Sequence, residues 1–429
     1  PPEYLAWKLQ SNREIELTGG ATLSASDDLN NLAKFGSEMQ VAGRVKASGS
    51  GNTIYAPTRV LFDGRVQVMQ AGALELAGDV VVETGGQIEV IDGNLRISQN
   101  LNLEAGGSLH LQPSGVAALW GETRLQGGYF SGGGVLSQDG HLIVEQASTS
   151  YVKHFDLDGA NDSMTFRLED DFTIYAERLE AFPGIAEREF NGEINVFAPA
   201  TLTMDLPGGQ GWRLRSPSIW IESDLGVMGD ERGLTIAGDP VDLSSADGTQ
   251  YSTFYVGNGS LVTFEADIKG IPKFLGSGGQ VFNGKVSPGS SPGMIYSEGD
   301  VTFGSSAWLV MEIYRGLEAD GSDPFGELYG TDPFDSFEVA GLIDLGGATL
   351  EVVFADGFVP EAGEGFPLFS ASSILGSFST IIPRGLPQGL MLDASGLSGG
   401  FLSVAVSPEP TAVLLLLLGL ALLPRRRRR

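Results

Sequence analysis

The sequence predicts an all-β protein in which short strands stack into a parallel β-solenoid. Apolar and polar residues alternate with period two through residues 72–111, and Gly or Asn-Gly steps separate the alternating segments. Three similar units, ALEL at 73–76, QIEV at 87–90 and SLHL at 108–111, each follow a glycine. The last two units begin 21 residues apart, a spacing typical of coils that stack on one another.

The alternation in residues 72–111 also separates an inner side of each strand from an outer side. The positions predicted to face the core are Leu74, Leu76, Val80, Val82, Ile88, Val90, Leu95, Ile97, Leu101, Leu103, Leu109 and Leu111. The positions predicted to face outward are Glu75, Glu89, Arg96, Asn102 and His110. An antiparallel sandwich is the alternative, because glycine turns also connect hairpins. The likeness between the three units favours the solenoid.

Residues 127–277 are less regular and richer in aromatic residues. Segments such as FDLDG at 155–159 and FNGEI at 190–194 indicate further strands, so the region predicts more coils of the same solenoid with larger loops. A short helix is expected only at residues 176–188, and Pro183 followed by glycine would break it.

Residues 278–406 contain a second informative motif. The stretch 284–293 reads GKVSPGSSPG and resembles the G-x-x-x-P-G-x-S-P-G turn of autotransporter passenger domains and related bacterial surface β-helices. The segments that follow in matching order are MEI at 311–313, FDSFEVAG at 334–341, GATLEV at 347–352 and GFPLF at 365–369. The resemblance implies the C-terminal coils of a right-handed β-helix and implies no chemistry. Phe334 stands where the family has tyrosine and Glu364 where it has aspartate, and neither change threatens the fold.

The C-terminal residues form three successive segments: a Pro-Glu-Pro segment, an apolar run and a basic cluster. Pro408, Glu409 and Pro410 form an extended segment, because proline fixes φ and lacks a backbone donor. Residues 412–423 predict a short hydrophobic helix of about 18 Å, well below the roughly 30 Å of a bilayer core. The basic cluster consists of Arg425, Arg426, Arg427, Arg428 and Arg429.

Residues 407–429 together resemble a PEP-CTERM sorting signal. The resemblance implies export, transient membrane anchoring through the tail and processing by an exosortase-type enzyme. The arginines would remain on the cytoplasmic side and everything before Pro408 would lie outside. The family tends to occur with exopolysaccharide and biofilm production, which suggests extracellular polysaccharide as a partner. The chain begins at Pro1 with no signal peptide in view, so we expect a truncated or processed N-terminus.

The composition limits the classes of partner and chemistry. Lys plus Arg total 26 against 54 Asp plus Glu, which gives a net charge of −28. Such a chain repels nucleic acid and anionic membranes and favours divalent cations and basic or neutral partners. There is no cysteine, which excludes disulfides and thiol chemistry, and 42% hydrophobic residues can build a packed core.

These observations predict four segments. They are N-terminal solenoid coils at 1–126, an irregular solenoid region at 127–277, autotransporter-like coils at 278–406 and the sorting signal at 407–429.

No metal or cofactor is expected, and Ca²⁺ is the one alternative. Asp156, Asp158 and Asp162 resemble a Ca²⁺ loop in their carboxylate spacing. The pattern departs from an EF-hand, since Ala160 occupies a ligand position and Glu169 lies at the wrong step. A turn with Asx hydrogen bonds is the expected structure. The acidic stretch 320–335 has the same two interpretations.

No motif for catalysis is complete. GSSPG at 289–293 formally matches a nucleophile elbow, but Pro292 and a following strand are incompatible with one. GQVFNGK at 279–285 has Val286 where a phosphate-binding loop needs Ser or Thr. The histidines, which are His110, His141 and His154, are isolated in the sequence and are expected at the surface.

Two functional hypotheses follow. The first is a structural or adhesive protein of the extracellular matrix that makes many weak contacts along a stiff surface. The second is a polysaccharide-active enzyme, which would need a carboxylate pair near aromatic side chains. The carboxylates considered for it are Asp158, Asp170 and Asp171, and the aromatic residues are Trp120, Tyr129, Trp212 and Trp220.

Overall fold

The computed structural model describes residues 7–9, 13–23, 38–157, 166–180, 193–196, 200–205, 212–213, 218–221, 233–243, 253–289, 293–314, 334–355 and 357–407. Strands dominate these ranges, and their helical element is a single 3₁₀ turn, η1 (Leu397–Gly399). Within the described ranges, no helix has the length and apolar character needed to cross a bilayer. The predicted short hydrophobic helix at 412–423 lies outside them.

The strands are short, and most contain three to six residues. In the first part of the chain they are β1 (Trp7–Leu9), β2 (Glu14–Thr18), β3 (Thr22–Leu23), β4 (Met39–Val41), β5 (Arg44–Ser48), β6 (Asn52–Ile54), β7 (Thr58–Val60), β8 (Arg65–Val68), β9 (Gly72–Leu76), β10 (Val80–Val82), β11 (Gln87–Ile97), β12 (Leu101–Glu104), β13 (Ser108–Leu119), β14 (Thr123–Gln126), β15 (Tyr129–Gln138), β16 (Leu142–Gln146) and β17 (Ser148–Leu157). In the middle they are β18 (Phe166–Leu168), β19 (Phe172–Tyr175), β20 (Arg178–Glu180), β21 (Glu193–Val196), β22 (Ala200–Asp205), β23 (Trp212–Arg213), β24 (Ser218–Ile221), β25 (Gly233–Gly238), β26 (Val241–Asp242), β27 (Thr253–Val256), β28 (Leu261–Phe264), β29 (Ile268–Lys269), β30 (Lys273–Leu275), β31 (Gly279–Phe282), β32 (Lys285–Ser287), β33 (Met294–Ser297), β34 (Val301–Phe303) and β35 (Trp308–Ile313). The last are β36 (Ser336–Asp344), β37 (Thr349–Phe354), β38 (Gly365–Pro367), β39 (Phe369–Leu375), β40 (Thr380–Arg384), β41 (Leu390–Asp393) and β42 (Phe401–Val406).

In the coils, strands pair in parallel with strands one coil further along the chain. Thr58 of β7 lies beside Val80 of β10, and Val80 lies beside Leu101 of β12, so one coil is 22 and then 21 residues long. Most strands belong to a 32-stranded sheet, and a 7-stranded parallel sheet runs beside it. The predicted all-β architecture with stacked parallel strands is confirmed, and the antiparallel sandwich is excluded for the coils. The handedness of the coils stays a prediction.

Three faces run along the stack. The first face contains β1, β4, β7, β10, β12, β14, β16, β18, β21, β24, β27, β30, β33 and the starts of β36 and β39. The second face contains β2, β5, β8, the first halves of β11, β13, β15 and β17, then β19, β22, β25, β28, β31, β34 and the ends of β36 and β39. The third face contains β3, β6, β9, the second halves of β11, β13, β15 and β17, and then β20. In the later coils it is formed by the 7-stranded sheet, which consists of β23, β26, β29, β32, β35, β37 and β40.

The 11-residue strand β11 shows why a coil bends between faces. Its burial alternates on both sides of a corner, where Gly93 has φ 130°. A Cβ atom on Gly93 would lie 2.1 Å from the carbonyl oxygen of Gly72 in the coil below. Only glycine permits both the positive φ and the close approach, so this position turns one strand onto two faces.

The core changes in character along the stack. Between β9 and β13 the inward side chains are aliphatic, and every position predicted to face the core is at most 2% exposed. In the later coils phenylalanines stack from coil to coil. Phe254 and Phe274 have ring centroids 4.9 Å apart, and Phe264 and Phe282 are 5.3 Å apart. Because each coil cannot bury its inner side alone, these contacts stabilise neighbouring coils together.

Side-chain oxygens satisfy backbone donors at the corners between coils. The Asn100 amide N–H donates to Asp79 Oδ1 at 3.3 Å, and the Glu122 N–H donates to Asn100 Oδ1 at 3.2 Å. Further backbone donors bond to Asp92, Asp170, Asp171, Asp267, Glu298 and Asp300. Several acidic side chains therefore cap N–H groups that the parallel ladders leave unpaired.

The C-terminal end of the stack carries a small antiparallel sheet. Strand β42 pairs with β38 on one side and with β41 on the other. Gly400 follows η1 in the left-handed conformation, with φ 84°, and leads directly into β42. Phe366, Leu402 and Val404 of this sheet are buried, so it closes the apolar core at this end.

Some local predictions need correction. The ALEL unit at 73–76 does not stack on QIEV at 87–90, because Ala73 pairs with Asn94 on the third face. QIEV and SLHL at 108–111 do stack, on the second face. Part of the predicted helix at 176–188 is wrong, since Arg178–Glu180 forms β20, and the remainder from residue 181 lies outside the described residues. The segment boundaries stay predictions.

Candidate functional site

A shallow groove of about 280 Å³ lies on the third face, across β6, β9, β11 and β13. Its floor consists of small outward side chains, because the parallel register brings Ala73, Asn94 and Val116 side by side in successive coils. Gly51 and Ala118 also line it. Neighbouring positions of the same face carry larger side chains, so the run of small residues leaves a depression open to solvent.

An aromatic and charged cluster consists of Glu75, Arg96 and Trp120: Glu75 and Arg96 line the groove, and Trp120 stacks on Arg96 beside it. The Arg96 guanidinium carbon lies 3.2 Å from the centroid of the Trp120 ring, in a cation–π contact. Arg96 Nε is 3.8 Å from Glu75 Oε1, and the Ser98 hydroxyl donates to the same oxygen at 2.6 Å. Arg96 thus holds one face of the Trp120 ring, and 49% of the surface of Trp120 stays exposed.

The cluster has the chemistry of a polyhydroxylated ligand site. A fixed tryptophan offers an apolar ring surface, and the charged and amide groups beside it offer hydrogen-bond donors and acceptors in an open groove. Glu75 and Arg96 compensate one another, so the groove is locally close to neutral although the chain as a whole is strongly acidic. Such a surface favours a neutral ligand over an anion or a cation.

The groove does not contain the carboxylate pair that glycoside hydrolysis requires. Its described lining has one carboxylate, Glu75. The predicted candidates Asp170 and Asp171 lie at a corner instead, where they accept the N–H groups of Ala147 at 3.0 Å and Thr201 at 2.7 Å. Both side chains hold neighbouring coils together. Asp158, the third carboxylate considered, lies outside the described residues.

The other predicted aromatic residues lie away from the groove, Tyr129 and Trp220 on other faces and Trp212 in a later coil of the third face. Tyr129 is exposed on the second face, one coil before a stacked pair formed by Tyr151 and Tyr175, whose ring centroids are 4.6 Å apart. Trp212 belongs to β23 and Trp220 to β24, and only the backbone is described for these two residues. Of the predicted aromatic residues whose side chains are described, Trp120 is the one in contact with a groove-lining residue, Arg96.

The histidines and the Ca²⁺ candidates do not form a described metal site. His110 Nδ1 is hydrogen-bonded to the Ser131 hydroxyl at 2.9 Å on the second face. Asp156 is buried, and its Oδ1 lies 3.5 Å from His154 Nε2. Asp158 and Asp162 lie outside the described residues, so calcium binding there stays a prediction. Across the described ranges, no group of three or more His, Asp or Glu residues could hold a metal ion.

The sorting signal also lies outside the described residues. This applies to Pro408, Glu409 and Pro410 and to the five arginines from Arg425 to Arg429. Gly289 and Gly293 of the GSSPG motif are described, and the serines between them are not. GQVFNGK at 279–285 spans strands β31 and β32, so no helix follows it.

Sequence reasoning found the members of the cluster separately and missed their association. The alternation correctly placed Glu75 and Arg96 on the outer side, and Trp120 was selected as an aromatic residue. Their contact depends on the coil register, in which Arg96 pairs with both Glu75 and Ala118. The coil length of 21 residues that separates Glu75 from Arg96 was a usable signal for that contact.

Comparisons with known proteins identify no family. No family model matches the chain, and no curated protein matches it. Among solved structures, it is similar to a crystal structure of a TibC-catalysed, hyper-glycosylated TibA fragment, with 12% identity. The alignment covers 88% of this chain and 99% of that one, with a TM-score of 0.22. A score this low does not bear on the fold, which follows from the strand pairing.

Proposed function

We propose that this chain is an exported β-solenoid of the cell surface or extracellular matrix that binds neutral polysaccharide and has a structural or adhesive role in exopolysaccharide or biofilm. The observation that carries the proposal is the groove of the third face, with Trp120 fixed beside Arg96 and Glu75. A flat, exposed aromatic ring beside paired polar groups suits a hydroxyl-rich polymer.

The cellular destination of the protein is inferred from its C-terminal tail. The PEP-CTERM resemblance of residues 407–429 supports export, recognition of Pro408, Glu409 and Pro410 by an exosortase-type enzyme, and transient anchoring through the apolar run. The arginines at the terminus would hold the tail at the cytoplasmic side until cleavage. We also propose that the coils of this chain are right-handed, as the resemblance of residues 284–293 to autotransporter passengers implies.

The net charge supports a neutral polymer as the ligand. With a net charge of −28, the chain repels polyuronates and other anionic polymers that come within about one Debye length of its surface. A neutral polymer experiences no such repulsion and can lie along the third face. Contacts repeated along a stiff surface would give useful retention even where each single contact is weak.

Substitution of the exposed tryptophan tests the proposal. The full chain is run through native gels containing dextran, pullulan or hydroxyethylcellulose, and retardation is compared with a gel that contains no polymer. We expect at least one polymer to retard the wild type. Trp120→Ala should weaken that affinity about tenfold, equivalent to about 1.4 kcal/mol, because the ring surface is lost.

Phe62→Ala is the matched control, because Phe62 is an exposed aromatic residue in the turn between β7 and β8, away from the groove. This variant should be retarded like the wild type. Absence of retardation by all three polymers would contradict the proposed function. Shortening of the polymer, measured by size-exclusion chromatography after incubation, would favour the enzyme hypothesis instead.

A further inference from the structure

A second cluster on the third face resembles the first in composition. It consists of Trp308 on β35, Glu351 on β37 and Arg384 on β40, and it lies in the 7-stranded sheet. The Trp308 indole N–H donates to Glu351 Oε2 at 2.9 Å, and Arg384 Nε donates to Glu351 Oε1 at 2.9 Å. One carboxylate therefore orients both an aromatic ring and a guanidinium.

The burial of this Trp308 cluster shows a fixed centre with an open rim. The Glu351 side chain is 13% exposed, whereas Arg384 is largely exposed and Trp308 is 38% exposed. The hydrogen bond from Arg384 is the main cause of a lowered pKa of Glu351, so the carboxylate stays ionised and keeps both partners in place. Trp308 and Arg384 are thus partly open to solvent, as Trp120 and Arg96 are.

The spacing of the two clusters follows from the strand pairing. Trp120 ends the coil that begins with β12, and Trp308 belongs to the coil that begins with β33. Eight parallel pairings on the first face connect these coils, through β14, β16, β18, β21, β24, β27 and β30. At about 4.8 Å per coil, the two tryptophans are separated by about 38 Å along the stack.

We infer that the Trp308 cluster is a second polysaccharide contact, and that one polymer chain bridges both clusters along the third face. The inference rests on the proposed function, because it concerns the same class of ligand. A fragment shorter than about 38 Å reaches one cluster at a time. A longer chain occupies both, and its second contact forms intramolecularly at a high effective concentration.

The test compares long and short forms of whichever of the three polymers retards the wild type. Affinities are measured by isothermal titration calorimetry on the full chain, with concentrations expressed per sugar residue so that long chains gain nothing from carrying more binding segments. The wild type should bind fragments longer than 38 Å about 10²-fold more tightly than fragments half that length. Trp120→Ala and Trp308→Ala should each abolish this length preference.

Two further variants separate loss of contact from loss of structure. Trp308→Phe keeps an aromatic ring and should retain part of the preference. Tyr314→Ala removes an exposed aromatic side chain immediately after β35 and should retain all of it. A wild type without length preference, or a Trp308→Ala variant that keeps it, would overturn the inference while Trp120→Ala still reports the first contact. If none of the polymers binds the wild type, the proposed function fails as well.

Discussion

Asp335 shows how one buried carboxyl group connects distant parts of the chain. It is 0% exposed and immediately precedes β36. Its Oδ1 accepts the Gly293 N–H at 2.7 Å, and its Oδ2 accepts the Glu312 N–H at 2.8 Å. Burial raises the pKa of Asp335 to about 7, although the two backbone donors lower it. The residue lies in the acidic stretch considered for Ca²⁺, and its described role is structural.

This raised pKa predicts a specific dependence of stability on pH. In the unfolded chain an aspartate titrates near 3.8, so between about pH 4 and pH 7 only the folded state holds the proton. The free energy of unfolding should therefore fall as the pH rises through this window, by at most about 1.4 kcal/mol per pH unit. Asp335→Asn should remove this contribution.

The measurement is guanidinium unfolding of both proteins at pH 5 and pH 8. The wild type should lose more stability between the two values than Asp335→Asn does. Asp63→Asn is the control, because Asp63 is an exposed turn carboxylate with positive φ, a conformation that asparagine also adopts. It should keep the wild-type dependence. Identical pH dependence in the wild type and Asp335→Asn would refute this role of Asp335.

At the scale of single elements, the corners between strands decide how coils stack. Asp267 Oδ1 accepts the Lys285 N–H at 2.7 Å, one coil further along. Asp267→Ala leaves that donor without its protein partner and should destabilise the fold by about 1 kcal/mol. Asp267→Asn keeps an acceptor oxygen and should recover most of the loss.

Chemical unfolding of the three proteins measures this difference directly. Equal destabilisation by the alanine and asparagine variants would mean that the charge of Asp267, and not its hydrogen bond, is what matters. A wild-type midpoint in both variants would show that this corner contributes nothing to stability. The same design applies to Asp170 and Asp171, which the sequence suggested as catalytic carboxylates and the structure assigns to a corner.

The strands themselves were predictable because their inner side chains alternate. Leu74 and Leu76 were correctly placed in the core, and Glu75 between them was correctly placed outside. The division of each coil into three faces was not predictable from alternation, since a period of two repeats identically on every face. ALEL at 73–76 and QIEV at 87–90 therefore looked like copies of one unit although they occupy different faces.

The Trp120 cluster was only partly predictable for a related reason. Trp120 is conspicuous in the sequence as an aromatic residue, but its contact with Arg96 crosses from one coil to the next. Trp308 and Glu351 are 43 residues apart, because an insertion separates β35 from β36 within that coil. A constant coil length therefore does not predict this contact, and only the pairing of β35 with β37 brings the two residues together.

For the whole molecule, the arrangement of charge reconciles an acidic composition with a stable stack. Arg59 on the first face lies within 4.0 Å of Glu38, Glu83 and Glu104, which belong to three other coils. Corner carboxylates accept backbone N–H groups in the same manner from coil to coil. Acidic side chains thus contribute structural contacts at many places among the described coils, while each tryptophan cluster pairs its carboxylate with an arginine.

The third face is the surface at which we propose that polysaccharide binds. Hydroxyl-radical footprinting of the full chain, with and without a saturating amount of the polymer that retards it, tests this most directly. Polymer should lower the oxidation rates of Trp120 and Trp308, and leave those of Phe62 and of Tyr151 on the second face unchanged. Unchanged rates at both tryptophans while polymer is bound, or protection of Tyr151 in their place, would contradict the claim.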